Sequence, residues 1–167
     1  MFKTLMNSVR RIVYVRISSE RVSMQSNDGL YWEADPCVGV KTEGATKIIS
    51  VIKDGTSYKN FEGVSFWVNP FEHPRSIIAD FTVGEQLLNH GLRTMLQSLG
   101  GFLITVPALV ILHPLEKTEG GLTEVEKRAL KELGLGVGFR ECLVYTGPAL
   151  VILGMTMKNA ESQLGLR

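Results

Sequence analysis

Residues 106–114, VPALVILHP, form a continuously apolar run between two prolines. The run is far shorter than the ~20 residues a membrane-spanning helix needs. It also shows neither the alternation of a half-exposed strand nor the period of an amphipathic helix. A run of this kind suits a strand buried on both faces of a sheet, and such a strand requires cover above and below. The next segments supply part of that cover. After the polar loop LEKTEGG comes TEVEKRALKEL, where Thr123 and Glu126 stand at the spacing of a capping box. Val125, Ala129, Leu130 and Leu133 are expected to form the buried face of this helix. GLGVG at 134–138 reads as a helix C-cap and a flexible turn, and FRECLVYTG as another buried strand. Strand, helix, strand in this order predicts an α/β fold with a mixed sheet flanked by helices.

The preceding half fits beside such a unit. IVYVRIS at 12–18 reads as an alternating strand and ERVSMQS as its continuation, with Asn-Asp-Gly at 27–29 a hairpin turn. LYWEADPCVGVKT is expected to be a third strand, pushed to an edge or bulge by Pro36. TKIISVI and VSFWVNP read as further strands, joined by a loop or short helix at KDGTSYKNFEG, and NPFEHPRS as a proline-punctuated turn. A long helix then follows. Val83, Leu87, Leu88, Leu92, Met95, Leu96 and Leu99 make one stripe, with Asp80 or Thr82 as cap and Gly100-Gly101 as stop. Gly84 and Gly91 each weaken it by about 1 kcal/mol relative to alanine, and close packing against a strand would explain their presence. One lobe is expected over residues 12–157, with a separate N-terminal segment at 1–11 and a solvated tail at 158–167.

Several functions are disfavoured at once. Eighteen basic against 17 acidic residues give no electrostatic reason to bind nucleic acid. Cys37 and Cys142 are too far apart for a zinc spacing and too few for a disulfide framework, so they read as core residues of a reducing compartment. No transmembrane or secretory pattern is present, which places the chain in the cytoplasm by expectation. GVKTEGAT sets Gly39 and Gly44 at phosphate-loop spacing, but Ala45 stands where lysine is required. His73, His90 and His113 have no second ligand at metal spacing. No catalytic, cofactor-binding or metal-binding residue is therefore assigned. The N-terminus does carry a pattern: Phe2, Leu5, Met6 and Val9 recur at helical spacing beside Lys3, Arg10 and Arg11. They are candidates for contact with a membrane surface.

RSIIADFTVGEQLLNHGLRTML, VPALVILHP, GLTEVEKRALKELGLGVGFREC and VYTGP occur in an order and spacing that resemble bacterial MreB, the actin-like rod-shape protein. The resemblance covers residues 75–148 apart from an insertion near 115–120, and MFKTLMNSVRR resembles the membrane-binding N-terminus of some family members. It implies the first lobe of an actin-like (ribonuclease H-like) fold. It also implies truncation, since full actin-like proteins run to about twice this length and bind nucleotide between two lobes. The family's first phosphate loop, Asp-Leu-Gly-Thr, is matched by Arg16, Ile17, Ser18 and Ser19. Its Glu-Glu-Pro, which holds the water-positioning carboxylate, is matched by Thr146, Gly147 and Pro148.

These replacements lead to the expectation of a lost ATPase that takes neither ATP nor magnesium. The resemblance implies a non-catalytic protein that binds an actin-like filament subunit or itself, at the inner face of the cell membrane. One alternative is a nucleotide site completed by a partner or a dimer; another is an adaptor outside the cytoskeleton. Leu150, Val151, Ile152, Leu153 and Met155, in the apolar TGPALVILGMTM, are the candidate interface.

Overall fold

The computed structural model describes residues 11–53, 63–97 and 107–164. β1 (Ile12–Ile17), β2 (Val22–Ser26), β3 (Tyr31–Glu43) and β4 (Thr46–Lys53) form the expected antiparallel meander. β5 (Phe66–Val68) adds to β3 beyond β2. On the other side of β1, β6 (Leu109–Pro114) pairs parallel to it, and β7 (Glu141–Val144) pairs parallel to β6. The path through the sheet is β4-β3-β2-β1-β6-β7, so the mixed sheet is confirmed. β1 and β6 lie at its centre in the register Tyr14 to Ile111 and Arg16 to His113.

Central position corrects the reading of β1. Its residues do not alternate between core and solvent, because Ile12, Val13, Tyr14, Val15 and Ile17 are all buried. The period of two instead divides them between two cores. Val13, Val15 and Ile17 join Val110 and Leu112 beneath α1 (Phe81–Gln97) and α2 (Glu124–Gly136). Ile12 and Tyr14 join Leu109 and Ile111 on the opposite face. That second face is covered by an irregular strap over residues 146–156 and by α3 (Met157–Leu164), which buries Ala160. Residues 158–167 were expected to be a solvated tail; residues 158–164 belong instead to this short helix, which packs on the sheet through Ala160 with Met157 and Leu164 half-buried beside it.

The helices start as the sequence predicts. Asp80 Oδ1 accepts from Val83 N at 3.1 Å, and Thr123 with Glu126 forms the full capping box. α2 runs further than expected, through Gly134 to Gly136, and turns only at Gly138, whose φ is +103°. Gly134 stays helical because it faces β7 closely: an added Cβ would meet Cys142 Sγ at 2.5 Å. Val125 is not on the buried face; it is 78% exposed, and Leu130, Leu133 and Gly134, with Ala129 half-buried, set the packed side. β7 is likewise only partly buried, being the last strand of its sheet. Pro36 does produce irregularity, with a register shift between Asp35 and Val38, where Asp35 Oδ1 accepts from Cys37 N at 2.8 Å.

Candidate functional site

Parallel strands β1, β6 and β7 end at one edge of the sheet, where an α/β fold usually gathers its chemistry. Three segments converge there: the β1–β2 turn at 18–21, the loop at 115–123, and residues 145–150 after β7. Two adjoining clusters result.

The first cluster lies at the β1–β2 turn. Ser18 Oγ donates to Arg21 O at 3.0 Å, closing a tight turn, and Asn69 Nδ2 donates to Ser19 O at 2.7 Å. Ser19 donates twice to one carboxylate: its N–H to Glu116 Oε2 at 3.2 Å and its hydroxyl to Glu116 Oε1 at 3.0 Å. Leu115 N–H donates to Ile17 O at 2.9 Å and so extends the β1–β6 ladder, which brings Glu116 to this position. The loop then bends through Lys117, held at φ +57°, with its ammonium donating to Ser76 O at 3.0 Å and Phe71 O at 3.4 Å. A non-glycine residue in the left-handed region costs about 1–2 kcal/mol, and those two bonds offset it. The cavity left among Ile17, Ser18, Ser19, Phe71, Ile77, Glu116 and Lys117 is about 10 Å³, room for one water.

The second cluster occupies the other face of the same edge. Arg16 Nε donates to Ser23 Oγ at 3.0 Å, and its guanidinium carbon stands 5.9 Å from the Tyr14 ring centre. Tyr14 Oη bonds His113 Nδ1, and Leu150 N–H reaches the same hydroxyl at 3.4 Å. The Tyr145 ring meets His113 edge-on, at 5.1 Å between centres. Burial lowers the pKa of His113 and the Arg16 charge adds to this, while a hydrogen bond to the Gly147 backbone opposes both. Burial raises the pKa of Tyr14 against the Leu150 N–H and Arg16. Sequence spacing alone gave no sign of this cluster, because Tyr14 and His113 lie on two strands far apart in the chain and Tyr145 just beyond a third. Their register is the signal that could have found it: all three occupy the same face by period two.

The remaining candidates are dispersed. Phe2, Leu5, Met6 and Val9 lie outside the described residues. The apolar strap splits in two: Ile152 and Met155 are buried against Ile12 and Ile111, whereas Val151 is 85% and Leu153 64% exposed. Leu150 is half-buried beside Tyr14. Asn27 fixes the far end of the strap, accepting Gly154 N–H on its carbonyl at 2.8 Å and donating Nδ2 to Met155 O at 2.8 Å. His73 Nδ1 accepts from the backbone of Arg75 and Ser76, and His90 packs beside Trp32. Among the described residues no helix is long and apolar enough to cross a membrane.

No protein-family model matches the chain. In sequence it is similar to the cell shape-determining protein MreB of Haemophilus influenzae, at 32% identity over 78 residues, which is 47% of this chain and 20% of that protein. In structure it is similar to MreB5 of Spiroplasma citri bound to ADP (TM-score 0.58, 17% identity) and bound to AMPPNP (TM-score 0.59, 18% identity). A non-polymerising MamK mutant bound to AMPPNP is also similar, with a TM-score of 0.54 and 16% identity. Each of these alignments covers 82% of this chain, but only 38%, 38% and 41% of the solved chains respectively. The fold is therefore that of part of an actin-like protein, as the resemblance to MreB implied.

Proposed function

We propose that this chain is a non-catalytic, MreB-like lobe that acts by protein–protein contact and modulates actin-like filaments. One observation carries the non-catalytic part: the Glu116 carboxylate takes both donors of Ser19, at the turn matched to the family's first phosphate loop. A fixed carboxylate there repels a phosphate and already satisfies the amide a phosphate would need. The surroundings agree. Arg16 stands where a metal-holding carboxylate is expected and is bonded to Ser23. Thr146 and Gly147 offer no carboxylate to orient a water. These residues do not fit a magnesium nucleotide, and no catalytic step is assigned to them.

The partner reading rests on what is retained. Sequence similarity to the cell shape-determining protein MreB persists while the site residues differ from the family pattern, so the maintained features are those of the scaffold and its surfaces. A partner of the same fold, or a second copy of the chain, follows from that. The N-terminal Phe2, Leu5, Met6 and Val9 would add peripheral contact with the membrane.

Two measurements test this together. In co-sedimentation with polymerised MreB, the chain is expected to enter the pellet or to change the pelleted fraction at equimolar ratio. No effect on either would sink the filament role. In calorimetry with magnesium and ATP, no binding heat is expected, and saturable heat or phosphate release would overturn the non-catalytic assignment.

A further inference from the structure

The Tyr14–His113 pair sits where the strap crosses the sheet, and the hydroxyl of Tyr14 is used twice. Leu150 N–H donates to it, so its own proton is directed to His113 Nδ1. The arrangement fits a bare Nδ1, with the proton of the neutral imidazole on the other nitrogen and directed to the Gly147 backbone. Among the described residues, the groups facing the imidazole are Tyr14 and Arg16 from β1, the Tyr145 ring beyond β7 and the backbone of Gly147 in the strap, with Leu150 N–H behind the Tyr14 hydroxyl. Arg16 is the charged one, and it has the same sign as an imidazolium.

We propose that Tyr14 and His113 form an acid-sensitive latch, which holds residues 147–151 over the second face of the sheet and releases them when His113 takes up a proton. Protonation turns Nδ1 into a donor. The Tyr14 hydroxyl proton then loses its acceptor, and a second positive charge stands buried beside Arg16. Lifting the strap returns the imidazole to water and relieves both problems. The far end stays fastened, because Gly154 N–H and Met155 O are held by the carbonyl and amide of Asn27, neither of which titrates. The hinge therefore lies just before Ile152, whose side chain stays buried against Ile12 and Ile111 and whose carbonyl accepts Met155 N–H at 2.8 Å. The latch is independent of any filament partner.

The sign follows from the lowered pKa of His113. The closed strap is fully stabilised above the ordinary histidine value of 6.5 and loses stability as pH falls from there towards the lower closed-state value. Within that window one proton is taken up on opening, so the open fraction rises up to about ten-fold per pH unit.

Amide hydrogen exchange of the full chain, corrected for the intrinsic pH dependence, reads this directly at Leu150. Protection of Leu150 is expected to fall by up to about ten-fold per unit below pH 6.5, while Val13 and Val15 in β1 keep theirs. In His113→Gln, which retains an acceptor and a donor but has no proton to gain, the pH-dependent step should vanish. In Tyr14→Phe, Leu150 should be weakly protected at every pH and again show no step. Unchanged wild-type protection at Leu150 across the window overturns the latch. So does a step of full size in either variant, which covers the case in which the other fails to fold.

Discussion

Gly84 and Gly91 lie two turns apart on one helix, and a sequence scale assigns both the same penalty. The structure gives alanine opposite effects at the two positions. At Gly91 an added Cβ would stand 2.6 Å from Trp32 Cε3 and 2.8 Å from Cη2, with Cζ3 nearer still. Carbon contacts prefer about 3.5–4.0 Å, so helix or indole must move, and overpacking of this kind costs roughly 1–3 kcal/mol. Alanine returns about 0.8–1.0 kcal/mol of helix propensity, leaving Gly91→Ala destabilised by up to about 2 kcal/mol. At Gly84 the nearest atoms are Phe71 Cε1 at 3.4 Å, Phe71 Cζ at 3.5 Å and Pro70 Cβ at 3.6 Å, which is ordinary contact. Gly84→Ala should therefore stabilise by about 0.5–1 kcal/mol. Urea unfolding followed by far-UV circular dichroism measures both without relying on Trp32 as reporter. Replacing Trp32 with leucine should turn Gly91→Ala from destabilising to stabilising. If Gly91→Ala costs as much in that background, or if Gly84→Ala costs as much as Gly91→Ala, close approach to Trp32 is not the cause.

Other outcomes follow from single contacts. Thr123→Ala should lower stability by about 1 kcal/mol by removing the capping box of α2, again read by urea unfolding. Asp80 is partly buried, which opposes its ionisation, but the Lys47 ammonium and the Val83 N–H outweigh this and lower its pKa. Its contribution is therefore present above the unfolded carboxylate value of about 3.9 and is lost as pH falls through the folded value, so Asp80→Asn should flatten the acid limb of a stability–pH curve. The Cys142 thiol is pushed up to about 12 by burial. At pH 8 its thiolate fraction is about three orders of magnitude below that of a free cysteine, and a chromogenic disulfide should label it slowly until denaturant is added.

Local signals in the sequence carried the fold well. Capping at Thr123 and Glu126, the Asn-Asp-Gly turn and the apolar run of β6 each depend on neighbours a few residues away, and each is found where the residues place it. The misreadings share a different origin. β1 looked half-exposed, Val125 looked buried and β7 looked central, because periodicity reports which residues share a face without saying what covers that face. Position within the sheet decides it, and position is set by pairings such as Val13 with Val110, 97 residues apart. The site was legible only as a set of departures from a family pattern. That Glu116 reaches Ser19, or that Tyr14 reaches His113, depends on the β1–β6 register, which no spacing in the chain encodes.

Those departures have a common physical form. Arg16 and Ser19, which stand at two of these departures, have each found a partner within the chain, Ser23 and Glu116, and His113 beside them bonds Tyr14. An unmatched donor or acceptor costs about 1–3 kcal/mol where it is buried, as at His113, and less at the half-buried Arg16 and Ser19, against a small domain's net stability of about 5–15 kcal/mol. An edge rich in polar groups keeps its fold only if partners satisfy them, and here the partners are internal. The 115–121 loop is what makes this possible here, since its extra length carries Glu116 to the turn and Lys117 to the carbonyls of Phe71 and Ser76. Shortening that loop to a direct turn should therefore damage the fold more than its exposed, glycine-ended sequence suggests, because Ser19 would lose both of its acceptors at once.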